Sequence, residues 1–184
     1  RVEMGRRILD GETLTDLLEE YPNLIFGFKR LQDDLKAVEE SKMEIKPVPT
    51  FIPNPWGFLM PTCSSKKQRH WWIWSSVPNR GKTTWAKSLQ PDYPVYLKSG
   101  DFTYWNITGK EGILIFDEYN YPGCKYHTLN QICDGTFEFR CFMAGLRRME
   151  RSITLIVLSN QPIVALYPNM YHLLQARFIE KCID

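Results

Sequence analysis

The sequence predicts an α/β fold: a central, mostly parallel sheet covered by helices, preceded by a small helical bundle. Three stretches carry that expectation. Trp71–Trp85, WWIWSSVPNRGKTTW, is an aromatic and β-branched run that stops at a loop and continues as a helix-compatible segment. Gly112–Glu118 sets four consecutive apolar residues ahead of two carboxylates. Ile153–Leu158 carries an equally continuous run of four, Leu155–Leu158, and ends at Ser159-Asn160. Unbroken apolar runs of this length mark strands buried on both faces, as in parallel sheets, where ligands gather at the carboxyl ends.

Composition narrows the classes. A chain of 184 residues holds one well-cored domain and a small appendage. Its 43% hydrophobic and 24% charged content excludes a disordered tail. Formal net charge is only +2, so attraction to nucleic acid has to come from local clusters. Cys63, Cys124, Cys133, Cys141 and Cys182 are odd in number and form no C-x-x-C pair, which points to a reducing, intracellular compartment. Cys124, His127 and Cys133 make an incomplete zinc set. No run reaches the apolar length of a membrane span and no signal peptide is visible; a start at Arg1 suggests a piece of a longer protein.

Residues 1–45 read as short helices. Thr13 precedes Leu14, Leu17 and Leu18 with Asp16 three residues on, close to a capping box. Beyond Pro22-Asn23, the residues Leu24, Phe28, Leu31, Leu35 and Val38 form a narrow apolar seam. That seam packs either within the bundle or against neighbouring subunits. Residues 46–69 read as an extended connector, because five prolines between positions 46 and 61 leave no room for a helix or central strand. Lys66, Lys67, Arg69 and His70 follow as a basic run, solvated or touching phosphate. The remaining domain is 70–184.

Within it, Ser76, Val77, Pro78, Asn79, Arg80, Gly81, Lys82, Thr83 and Thr84 stand where a phosphate-binding P-loop is built between strand and helix. Such a loop turns backbone N–H groups towards a triphosphate, and the helix adds its positive end. Lys82 would reach the β- and γ-phosphates of ATP, and the Thr83 hydroxyl would ligate Mg²⁺. The pattern G-x-x-x-x-G-K-[ST] asks for glycine at position 76, where this chain has serine. Pro94–Lys98 is a further strand. At the end of the 112–118 strand, Asp117 would enter the Mg²⁺ shell and Glu118 would orient the attacking water. Tyr126–Gly135 looks helical with Gly135 as terminator. The alternation of Phe137, Phe139, Cys141 and Met143, then a turn at 144–146 and a return through Arg147–Arg151, predicts a β-hairpin with a basic tip, either solvated or bound to phosphate. Asn160 would hydrogen-bond the γ-phosphate or the water. Arg177 is the one arginine after Asn160, hence the candidate arginine finger of this segment, with an ordinary surface residue as the other option.

These pieces, in this order, resemble the superfamily 3 helicase domain of replication initiator (Rep) proteins from circular Rep-encoding, circovirus-like single-stranded DNA viruses and related plasmids. Walker A matches at Gly81-Lys82-Thr83 and Walker B at Ile113–Glu118; Val95–Lys98 with Trp105 is similar to the family's stretch before Walker B. Leu129–Gly135 with the hairpin resembles motif B′, and Leu158–Gln161 resembles motif C. The resemblance covers nearly the whole chain. It implies an AAA-type P-loop NTPase core and an ATP-driven DNA helicase working as a homo-oligomer, usually a hexameric ring. ATP and Mg²⁺ would sit between subunits, residues 1–45 would assemble the ring, and a rolling-circle nuclease domain would lie upstream. On that basis Arg177 acts from the adjacent subunit, while Arg140, Arg147 and Arg148 grip single-stranded DNA. A viral protein of this kind works in the host nucleus. Two departures stand out: Ser76 for glycine, and Ala144–Arg148 at the hairpin where many relatives carry Lys-Gly-Gly. The other candidate functions are a nucleotide-binding assembly and DNA-loading module with weak hydrolysis, and a P-loop kinase, which would need an arginine-rich lid.

Overall fold

The computed structural model of the chain describes residues 46–65, 68–100, 102–120, 124–141 and 145–184, with Arg7, Gly11, Glu12 and residues 14–21 near the start. The chain divides into two compact units, Arg1–Glu44 and Ile45–Asp184. In the first, helix α1 spans Leu14–Glu20 and buries Leu17 completely. Arg7 pairs with Glu12 at 2.5 Å and with Glu20 at 2.6 Å, surface contacts of the kind that add little stability. The expected Leu24–Val38 seam and the Thr13 cap lie outside the described residues.

Among the described residues the second unit holds seven strands, β1 (His70–Trp74), β2 (Val95–Ser99), β3 (Ile113–Tyr119), β4 (Phe139–Cys141), β5 (Gly145–Arg147), β6 (Thr154–Ser159) and β7 (Phe178–Cys182). Five of them form one sheet in the order β2-β3-β6-β1-β7, and every pairing in it is parallel. Parallel neighbours cannot be joined by a tight turn, so each connection crosses a face of the sheet and carries its cover with it. Helix α2 (Lys82–Leu89) lies between β1 and β2; α3 (Tyr126–Cys133) and the antiparallel β4–β5 hairpin lie between β3 and β6. Helices α4 (Ile163–Leu166) and α5 (Tyr171–Arg177) lead to β7.

Strand alternation sorts the core into two layers. Trp71, Ile73, Ile115 and Ile156 pack with Trp85 and Leu89 of α2 on one face. Trp72, Phe116, Val157 and Phe178 pack with Ile132 of α3 and Leu174 of α5 on the other. All six residues of β6 are buried, which is why its middle, Leu155–Leu158, reads as a continuous apolar run. Trp72 is the largest fully buried side chain, with edge-on contacts to Tyr119 at 5.4 Å and Phe178 at 5.8 Å between ring centroids. Its indole N–H donates to the Gln161 carbonyl at 3.1 Å.

Two segments differ from the sequence expectation. Residues 46–63 form no helix, as the prolines require, but instead of running on as an extended connector they fold back on themselves. Phe51 bridges Pro61 antiparallel, the Ile52 amide donates to the Met60 carbonyl at 2.8 Å, and the segment belongs to the second compact unit. Ile52 and Met60 are 2% and 1% exposed within the α2-side core, and the Cys63 amide donates to the Thr154 hydroxyl at 2.7 Å. Gly112 lets this arm pass close, since a Cβ there would meet a Val48 methyl at 2.1 Å. The hairpin register is also shifted. Phe139 pairs with Arg147 and Cys141 with Gly145, so Gly145 and Leu146 belong to the return strand. Arg147 and Arg148 therefore stand at the base of the hairpin; residues 142–144 lie outside the described residues.

The basic run before β1 is structural where it is described. The Arg69 guanidinium donates to the Phe178 carbonyl at 2.9 Å and the Gln175 carbonyl at 3.2 Å. His70 is 2% exposed; its Nδ1 accepts the Leu155 amide at 3.0 Å and its Nε2 lies 3.3 Å from the Cys133 carbonyl. That pattern fits a neutral ring protonated at Nε2. Burial pushes the His70 pKa down to about 4. Between about pH 6.5 and pH 4 the unfolded chain binds a proton here that the folded chain does not, so this group costs stability as pH falls through that window, on the order of 3 kcal/mol in full. Asn keeps an acceptor near Nδ1 without the titration. Urea unfolding at pH 7 and pH 4 should show the wild-type advantage over His70→Asn shrinking by about 3 kcal/mol; a constant difference would contradict a neutral buried ring.

Candidate functional site

The carboxyl edge of the sheet assembles the site. β1 ends at Trp74, and residues 75–81 loop from it into α2. Asn79 and Gly81 both adopt left-handed backbone, with φ of 62° and 77°. Asparagine is among the few non-glycine residues that accept this conformation, and no atom lies within 4 Å of a Cβ built on Gly81, so conformation alone calls for glycine there. Left-handed residues on either side of Arg80 curl the chain into a concave turn that can direct successive N–H groups inward. Helix α2 begins at Lys82, and its first amides have no partner within the helix.

β3 supplies the opposite wall. Phe116 pairs with Val157 and Tyr119 with Ser159, so three steps along β3 match two along β6, and one residue is extra. The bulge falls at Asp117-Glu118, where Glu118 has φ of 51°. Two adjacent strand residues would normally face opposite sides of the sheet. Here the kink lets both carboxylates line one cavity. Asp117 is 3% exposed and accepts a hydrogen bond from the Thr83 hydroxyl at 3.1 Å; Glu118 is exposed. β6 contributes Asn160 from just beyond its carboxyl end. Ser159 beneath it is buried and donates to the Tyr119 carbonyl at 3.0 Å, which ties the two strand ends together.

The resulting cavity, of about 380 Å³, is lined by Pro78, Asn79, Arg80, Gly81, Lys82, Thr83, Thr84, Asp117, Glu118 and Asn160. The sequence points to every one of these. Partial burial lowers the pKa of the Lys82 ammonium from its ordinary value, while the Asp117 and Asp184 carboxylates pull it upward. Cations at 80 and 82 and carboxylates at 117 and 118 thus face each other across one cleft. A buried carboxylate touching a threonine hydroxyl is a pair of hard oxygen donors, the chemistry suited to a cation such as Mg²⁺ that keeps several waters. Among the described residues no three His, Cys, Asp or Glu side chains gather as a metal cluster.

Other predicted residues lie elsewhere. Ser76 and Val77 do not line the cavity; they bond to Asp184, a residue that sequence reasoning missed. Arg177 closes α5 just before β7, and β7 begins beside His70 at the amino end of β1, the edge opposite the cavity. It forms an ion pair with Asp134 there. Arg147 is half-buried and donates to the Ile107 carbonyl at 2.9 Å, whereas Arg148 is exposed and pairs with Glu138. Arg140, opposite Leu146 in the hairpin, is exposed. No helix among the described residues is long and apolar enough to cross a membrane. Compared with models of known protein families and with curated proteins, the sequence matches none.

Proposed function

We propose that this chain hydrolyses ATP with Mg²⁺, and that it is the superfamily 3 helicase domain of a viral or plasmid replication initiator. One observation carries the reading: Lys82, Thr83, Asp117, Glu118 and Asn160 line a single cavity, with Thr83 bonded to a buried Asp117. Lys82 and the loop amides hold the β- and γ-phosphates. Thr83 and Asp117 hold the cation. Bound Mg²⁺ supplies charge neutralisation on the phosphate oxygens. Glu118, turned into the cleft by the bulge, orients the attacking water and accepts its proton. Asn160 hydrogen-bonds the γ-phosphate or that water.

In this proposal the domain works as a homo-oligomer, a hexameric ring around single-stranded DNA, inside the cell and in the host nucleus if viral. Arg177 faces the edge away from its own cavity, so the site it serves is a neighbour's, and reaching it means leaving Asp134. An arginine finger of this kind makes hydrolysis depend on assembly. For DNA, the exposed Arg140 and Arg148 are the groups that meet phosphate, while Arg147 is in part an anchor for the hairpin.

Two sets of variants test the proposal. Lys82→Ala should reduce phosphate release at least ~100-fold and weaken binding of a fluorescent ATP analogue. Glu118→Gln should slow turnover on the order of 100-fold with nucleotide binding retained. Wild-type turnover in either would refute the assignment of roles. Arg140→Ala with Arg148→Ala should weaken binding to a single-stranded oligonucleotide and flatten its salt dependence, by about 0.7 in log–log slope for each phosphate no longer neutralised. Arg147→Ala should instead lower unfolding stability by roughly 1 kcal/mol. Unchanged DNA affinity and salt slope in the double variant would exclude these arginines from the DNA surface.

A further inference from the structure

The first residues of the loop are held from a distant part of the chain. The Ser76 amide donates to Asp184 Oδ1 at 2.8 Å and the Ser76 hydroxyl to Oδ2 at 2.9 Å. Ser75 Oγ lies 2.7 Å from Oδ1 and 2.7 Å from the Val77 carbonyl, and the Val77 amide donates to Ser75 Oγ at 3.1 Å with Oδ1 further off at 3.4 Å. Ser75 itself is fully buried, so this grip reaches the core. β7 delivers the carboxylate. Cys182 pairs with Trp74, and the Ile183 amide continues the ladder onto the Trp74 carbonyl at 3.0 Å. One residue further on, Asp184 stands beside the turn out of β1.

Position 76 is where a P-loop of this pattern carries glycine. Glycine is needed where backbone must turn left-handed or another group must come close. Ser76 is not among the positive-φ residues, so serine carries no backbone strain here. The left-handed turns come later, at Asn79 and Gly81.

We propose that Asp184 is a positioning residue for the nucleotide loop, gripping Ser75, Ser76 and Val77 so that the amides from Asn79 onward stay converged on the cavity. Ser76 is then half of a clamp in place of a flexible glycine. The clamp takes over the role of restraining the loop entry, and it does so before nucleotide arrives. Consistent with a well-bonded anion, the Ser75 hydroxyl and the Ser76 and Val77 groups hold the Asp184 carboxyl well below the usual carboxylate range. Burial lowers the pKa of Lys82 and the Asp184 charge offsets part of that lowering, so the clamp and the phosphate-binding ammonium share one electrostatic neighbourhood.

This inference rests on the nucleotide reading above, and the experiment separates the two. Amide hydrogen exchange on the nucleotide-free chain should show Ser76 protected in the wild type and exchanging at least about tenfold faster in Asp184→Ala, with core amides unchanged. The same variant should bind the fluorescent ATP analogue about tenfold more weakly, the worth of one hydrogen bond to a charged group, and raise KM more than it lowers kcat. Asp184→Asn, which keeps an acceptor oxygen, should recover part of both losses. Should Asp184→Ala fold poorly, Ser76→Ala leaves the exposed turn otherwise intact and should reproduce a smaller part of the same loss. Combined with Asp184→Ala, it should add less than the sum of the two. Wild-type exchange and affinity in Asp184→Ala, or full additivity with Ser76→Ala, overturns the clamp and leaves the ATP site standing. A wild-type chain that binds no ATP overturns both.

Discussion

The parallel pairing of β1 with β6 on one side and β7 on the other is the constraint from which the rest of the architecture follows. It brings three carboxyl ends to one edge: Trp74 with its loop, Ser159 with Asn160, and Cys182 with Asp184. β3, paired to the far side of β6, adds Asp117 and Glu118 at the same edge. Residues separated by up to about a hundred positions meet because each strand must run the same way, returning to the amino edge through a crossover before it can contribute again. The crossovers are the covering helices. Site and core are consequences of one topology.

The strained element at that edge is supported by packing beside it. A left-handed conformation at a non-glycine residue costs on the order of 1–2 kcal/mol, which is the penalty at Glu118. The next residue, Tyr119, is 2% exposed, edge-on to Trp72 and hydrogen-bonded through its hydroxyl to Tyr167. Burying such a ring contributes about 1.5–3 kcal/mol, and each aromatic pair adds about 0.5–1.5 kcal/mol. Burial of Tyr119 outweighs the strain. The extra residue in β3 is therefore stable, and it leaves Glu118 facing the cavity while the core beneath stays closed.

How far this could be read from sequence follows from where the signals lie. The buried strands announce themselves as apolar runs, and the residues with chemistry stand at their carboxyl ends, so all ten cavity residues were legible. β7, FIEKC, was not. As an edge strand it is only partly buried, and its Glu180 and Lys181 dilute the pattern. Asp184 depends on that strand's register and so had no local signal of its own. The prolines rule out a helix in residues 46–61, but nothing periodic in such a segment tells that it folds back on itself or that Ile52 and Met60 enter the core. The hairpin alternation marked two strands without marking where the chain reverses. Gly145, which looked like turn, sits opposite Cys141 with φ of 75°, and the arginines move to the hairpin base with it.

The two edges of the sheet are built from similar residue types and end in opposite states. At the amino edge, Arg69 donates to two carbonyls, Arg177 pairs with Asp134, and His70 bridges Leu155 and the Cys133 carbonyl. Polar groups there are used to tie α3, α5 and β7 onto the start of β1, and burial keeps the imidazole neutral. At the carboxyl edge, Arg80, Glu118 and Asn160 are exposed around a cleft, beside a buried carboxylate bonded to Thr83. Charged groups left facing a cavity forgo the internal partners that stabilise the other edge, so their placement is accounted for by what they can bind. The bonds to Asp184 belong to both patterns: they resemble the ties of the amino edge, yet they stop at Val77, one residue before the cavity begins. The boundary between structure and site in this loop therefore falls between Val77 and Pro78.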